Sequence, residues 1–143
     1  MATVAPTAPP IWFRIVAVLA ILWNAIGVFQ YLSSVGMFGD PMASLTEAQR
    51  AAAQSIPAAI VGAFAISTFA GLIGSFGLLL CKRWALPMLV LSLIAVIVLE
   101  GWIVFLSGLL EMFGGIGLPA SVTLVALLLV WLAYHARRRG WLA

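Results

Sequence analysis

Four long apolar stretches alternate with short polar or glycine-rich segments along the chain. They run from Ile11 to Leu32, from Pro57 to Leu80, from Trp84 to Gly108, and over about 118–136. Each supplies roughly the 20 apolar residues that a helix needs to cross a ~30 Å hydrocarbon core. The pattern predicts four membrane-spanning helices. Pro57 and Pro119 stand at helix starts and Pro87 in a first turn, where a missing N–H does no harm. Between the first two spans, SSVGMFGDP reads as a turn-rich loop and SLTEAQRAAAQS as a short helix. Ser44 followed by Glu47 fits a capping box, and Leu45, Ala48 and Ala52 share one side. This helix is expected to lie on the membrane surface or over the mouth of the bundle, with a lid or a partner-docking element as the functional alternative. Cys81 to Trp84 is a tight turn, so the second and third spans form an antiparallel hairpin. Leu109 to Leu118 is a glycine-rich loop. The fold class expected is all-α, a single four-helix transmembrane bundle with one short interfacial helix.

The charges set the orientation. Arg14, Lys82, Arg83, Arg137, Arg138 and Arg139 fall at one end of such a bundle. Asp40, Glu47, Arg50 and Glu111 fall at the other. The positive-inside rule then puts both termini in the cytoplasm and the helix at 44–55 on the periplasmic side of a bacterial inner membrane. The basic residues, including the tail at 137–143, are expected to meet lipid headgroups. The segment MATVAPTAPP has no Lys or Arg and three prolines, unlike a secretory leader. The first span therefore reads as an uncleaved anchor behind a short extended tail.

Composition agrees with this picture. Of 143 residues, 65% are hydrophobic and 8% charged, against about 25% charged in soluble domains. The mean hydropathy is +1.22. The net charge of +3 would suit nucleic acid, but its placement at span ends assigns it to topology.

Against this apolar background the few small and polar residues stand out. In the second span Ala63, Ser67, Gly71 and Ser75 recur every four residues, with Gly74 alongside. Such a stripe lets helix backbones approach closely, and van der Waals packing then drives association in lipid. The seam serves helices of one chain or joins two copies. In the first span Asn24, Gly27 and Tyr31 share a face that should point at other helices, and Gln30 lies near the far end.

Glu100 is the acid deep within the third span. A charged side chain at a helix centre in lipid costs about 2.5–3.5 kcal/mol or more. Its depth resembles that of Asn24, and both spans run in the same direction, so the two side chains are placed to meet. The stretches WNAIGVF and LEGWIVF can be laid together with Asn24 opposite Glu100, as in a parallel repeat of two hairpins. Ser107 follows Glu100 by seven residues, on the same helix face. Two readings stand: a proton- or cation-binding carboxylate, or a structural acid, either protonated or hydrogen-bonded so that it ties helices together or close enough to the outer surface to reach water.

Other chemistry has little to build on. His135 is the single histidine and Cys81 the single cysteine, and neither a metal set nor a Ser-His-Asp arrangement is present. No catalytic role, metal or cofactor is expected. Trp23, Trp102 and Trp131 serve as packing aromatics or as the lining of a pocket for a sugar ring, pigment or quinone.

The segments ILWNAIGVFQYL, LTEAQRAAAQSIPAAIVGAFAISTFAGLIGSFGLLL, CKRWALPMLVLSLIAVIV and ARRRGWLA resemble a family of small bacterial four-span membrane proteins, often loosely labelled sugar transporters. The resemblance covers nearly the whole chain and implies a four-span fold, with no catalytic residue to carry over. In size and span count the chain is also similar to small multidrug transporters. Their membrane acid lies in the first helix, where this chain has Asn24. Two functions follow as expectations. One is a non-catalytic accessory or assembly subunit of a larger membrane complex, packing through the seam. The other is an oligomeric small-solute transporter, sugar-like or cation-coupled, with Glu100 as coupling site beside Asn24.

Overall fold

The computed structural model describes residues 8–143, apart from the side chain of Phe113. The expected extended tail falls mostly on residues 1–7, outside the described residues. The chain is an all-helical, multi-pass membrane protein. Its long helices are α1 (Ile11–Ser34), α3 (Ala58–Leu79), α4 (Ala85–Gly101) and α5 (Gly117–Arg138). A short helix, α2 (Glu47–Gln54), precedes α3. Beyond Gly101, α4 continues as a π-helical turn over Trp102–Leu106. The outward faces carry large apolar side chains such as Ile15, Leu19, Ile94 and Leu128, as lipid contact requires.

The helix at the centre is α3. In its most apolar stretch 44% of residues are buried, against 17% in α1. It packs on α1 along one side and on α4 along another, and α4 in turn packs on α5. Small residues make this possible. A Cβ on Gly71 would collide with the Asn24 carboxamide and lie 3.0 Å from Ser92 Oγ. One on Gly74 would lie 2.6 Å from Leu89 Cγ. Ala63, Ser67, Gly71, Gly74 and Ser75 are all buried, and the Ser92 hydroxyl donates to the Ser67 carbonyl at 2.6 Å. The seam is thus filled by α1 and α4 of the same chain. The α1 face predicted to point inward also meets α3. Asn24 reaches Ser75, Gly27 adjoins Thr68, and the Tyr31 ring lies edge-on to Phe64 and Phe69.

At the basic end the bundle is closed. Phe13, Ala17 and Ala20 of α1 join Leu78, Leu89, Leu132, Ala133 and Ala136 in one buried core. The hairpin turn after α3 puts Cys81 at φ 55°, and the Lys82 N–H reaches the Gly77 carbonyl at 2.8 Å. This is a Schellman end, with a cysteine where glycine would be easiest. The chain's last residues, 137–143, were expected to form a tail beyond the last helix. Instead the helix runs through Arg138, and Gly140 at φ 73° turns the chain back. Ala143 N–H then donates to the Cys81 carbonyl at 2.7 Å, and Arg83 N–H to the Ala143 carbonyl at 3.1 Å. Leu142 is buried, and Trp141 packs edge-on against Trp12, Phe13 and His135. Turn and apolar side chains override the charge of the preceding arginines, whose heads remain exposed.

The cap of α2 also differs from expectation. Thr46 and Gln49 form the box, not Ser44 and Glu47. The Thr46 hydroxyl accepts from Gln49 N–H at 3.3 Å, and the Gln49 side-chain oxygen accepts from Thr46 N–H at 3.0 Å. Both pairs have the required spacing. The Thr46 register leaves Glu47 in the first turn, where the helix dipole favours an anion.

Gly71→Leu should lower the thermal midpoint in mild detergent, since overpacking a closed seam costs about 1–3 kcal/mol or more. Gly62 has open space where a Cβ would go, so Gly62→Ala should leave the midpoint unchanged or slightly raised. Equal shifts for the two variants would remove the seam from the account of stability.

Candidate functional site

Toward the other end the helices part. A cavity of about 630 Å³ lies between α1, α3, α4 and α5, with Met42, Ala53 and Ile56 of the α2 region on its rim. That size suits a small molecule. Alanines line the contact at the basic end, at Ala17, Ala20, Ala133 and Ala136. Larger groups face one another further on, including Phe64, Leu99, Trp102 and Leu118. No extensive contact joins α1 to α5.

Most polar groups on the wall are satisfied within the bundle. Asn24 donates to the Ala20 carbonyl at 2.9 Å and to Ser75 Oγ at 3.2 Å. The Ser67 and Thr68 hydroxyls donate to the Phe64 carbonyl at 2.8 and 3.1 Å, and Ser92 donates to Ser67 as above. Glu100 differs. It lines the cavity, and its Oε2 is buried with no hydrogen-bond partner among the described residues. Leaving a buried acceptor unmet costs about 1–3 kcal/mol. Immediately after it α4 widens into the π turn, and Trp102 and Ile103 of that turn also line the cavity. Interruptions of this kind recur at functional sites.

The predicted polar residues therefore separate. Asn24, Gln30 and Glu100 line one cavity, with Gln30 exposed at the rim. Asn24 and Glu100 do not pair, because the Asn24 carboxamide is held against Gly71 and Ser75 of α3. Ser107 is not on the cavity wall. The π turn breaks the seven-residue register, and the Ser107 hydroxyl instead donates to the Ile103 carbonyl at 2.7 Å and accepts from Leu109 N–H at 3.0 Å. Of the tryptophans, Trp23 and Trp102 line the cavity. Trp131 stacks on His135, with ring centroids 5.4 Å apart at the basic end. Thr68 and Ser92 were not singled out from sequence. Each is a hydroxyl inside an apolar span, and that was the available signal.

The chain finds no match among known protein families, curated proteins or solved structures.

Glu100→Leu tests what the acid does for the fold. Replacing an unmet buried acceptor by an apolar group should leave stability unchanged or raise it by about 1–3 kcal/mol, read from the thermal midpoint in detergent. A clear loss of stability would mean that Glu100 holds helices together and is not a free site.

Proposed function

We propose that this protein is a small-solute carrier of a bacterial cytoplasmic membrane, with both termini in the cytoplasm. The solute binds in the cavity between α1, α3, α4 and α5, and Glu100 is its polar anchor. The observation that carries this reading is the buried, unpartnered oxygen of Glu100 on the wall of a mostly apolar cavity. A lone acid within a membrane span is a functional group by default. Its polar neighbours on the wall, Asn24, Ser67, Thr68 and Ser92, already hold hydrogen bonds within the bundle, and Glu100 Oε2 holds none among the described residues. The reading requires no covalent step.

Orientation follows from charge. Arg14, Lys82, Arg83 and Arg137 to Arg139 all lie exposed at one end, and Asp40, Glu47 and Glu111 at the other, which fits a cytoplasmic basic end. The α2 region then covers the periplasmic mouth of the cavity. The cavity and its acid belong to a single chain, so binding needs no second copy. An accessory-subunit role was expected to use the stripe from Ala63 to Ser75. That stripe is occupied by α1 and α4, and such a role would need another surface.

Uptake by proteoliposomes tests the proposal. The wild-type protein should move at least one solute from a panel of sugars, amines and small cations. Glu100→Gln should lower that uptake by roughly tenfold or more, while eluting as the same species in detergent. Equal transport by the variant would take Glu100 out of the mechanism.

A further inference from the structure

The cavity combines three features whose conjunction narrows its ligand. Among the described residues it is walled mainly by apolar side chains, it holds one acid with an unmet oxygen, and it is lined by no Lys, Arg or His. A sugar would leave most of its hydroxyls facing hydrocarbon without partners, which is costly. An anion would meet Glu100 with no cation to balance it. A primary amine on an apolar chain satisfies both walls. Its ammonium donates to Glu100, and its chain lies against Trp102, Ile103 and the neighbouring aliphatic groups.

The way in is also marked. Trp23 and Ile26 of α1 and Leu118 of α5 line the cavity, yet they are 42%, 58% and 57% exposed. They stand on α1 and α5, which lack an extensive contact with each other. At the basic end Phe13 and Ala17 of α1 and Ala133 and Ala136 of α5 belong to one buried core. The gap therefore opens within the apolar zone of the bundle, beside lipid-facing residues such as Leu22 and Leu127.

Resting on the carrier reading above, we infer that the ligand is a membrane-dissolved primary amine amphiphile, which enters sideways between α1 and α5 and places its ammonium on Glu100. The class is recognised by an apolar tail and a hydrogen-bond-donating cationic head. It is distinct from the water-soluble solutes that would approach through the mouth beneath α2.

The probes are n-decylamine, n-decanol, n-decanoic acid and ethylamine. Each is titrated into the full chain in lipid nanodiscs while intrinsic tryptophan fluorescence is followed, to which Trp23 and Trp102 on the cavity wall contribute. Decylamine should perturb the signal saturably, and Glu100→Gln should weaken its binding by roughly tenfold or more, since a charge-assisted hydrogen bond is lost. Decanoic acid and ethylamine should not saturate over the same range. Binding of decanol as tight as that of decylamine, with no effect of Glu100→Gln, would overturn the head-group assignment. Saturable binding of ethylamine in place of decylamine would overturn the inference and leave the carrier reading standing. Saturable binding of none of the four would overturn the inference, and the uptake panel would then decide the carrier reading.

The route has its own test. Ala126 lines the cavity on α5 and Ile26 lines it on α1. Ala126→Trp and, independently, Ile26→Trp place bulk at the gap and should slow decylamine association in stopped flow by roughly tenfold, because a wider side chain must move before the ligand passes. An association rate unchanged in both variants, each eluting like the wild type, would overturn lateral entry.

Discussion

The contact of α3 with α1 and α4 governs the rest of the molecule. In lipid there is no hydrophobic force to draw apolar helices together, so close packing must do it. Gly71 and Gly74 bring the backbone of α3 against Asn24, Ser92 and Leu89, with no room for a Cβ. At this distance the polar groups of the seam reach one another. Ser92 bonds to Ser67 and Asn24 bonds to Ser75. The geometry of the seam thereby decides which polar side chains are satisfied inside the bundle.

Glu100 is left over by that arrangement. The nearest candidate partner by sequence depth, Asn24, is turned toward α3 and held there. Glu100 sits further along α4, where the helices have parted and the wall is formed by large apolar groups. The tight half and the open half depend on each other. At the basic end residues of α1 and α5 share one buried core, and the returning residues Trp141 to Ala143 close over the α3–α4 turn. Further along, the cavity is lined by large groups such as Phe64, Leu99 and Trp102 together with small ones such as Gly27, Ser67 and Ala126.

Some of this was legible in the residues. On α3 the repeat Ala63, Ser67, Gly71, Ser75 marked the inward face, and on α1 Asn24, Gly27 and Tyr31 did the same. These marks were readable because small or polar groups are rare in an apolar span. On α5 there was no such mark. Leu129, Leu132, Ala133 and Ala136 face the core while Leu124, Leu127 and Leu128 face outward, and both sets are aliphatic. Lipid accepts either face, so apolar periodicity alone does not orient a membrane helix. The capping register of α2 was ambiguous for a different reason, since Ser44 with Glu47 and Thr46 with Gln49 satisfy the same spacing.

By itself the sequence determined the number and extent of the membrane helices, the end at which the basic charge collects, the close-packing face of α3 and the presence of an acid within a span. These depend on hydropathy, length and residue size, which are local. Only the tertiary structure decided that the seam closes within one chain, that Asn24 and Glu100 stay apart, that Ser107 leaves the shared face, and that the last residues fold back on Cys81 and Arg83. Each of these turns on the distance and rotation between helices, which depend on side-chain volumes contributed by distant parts of the chain.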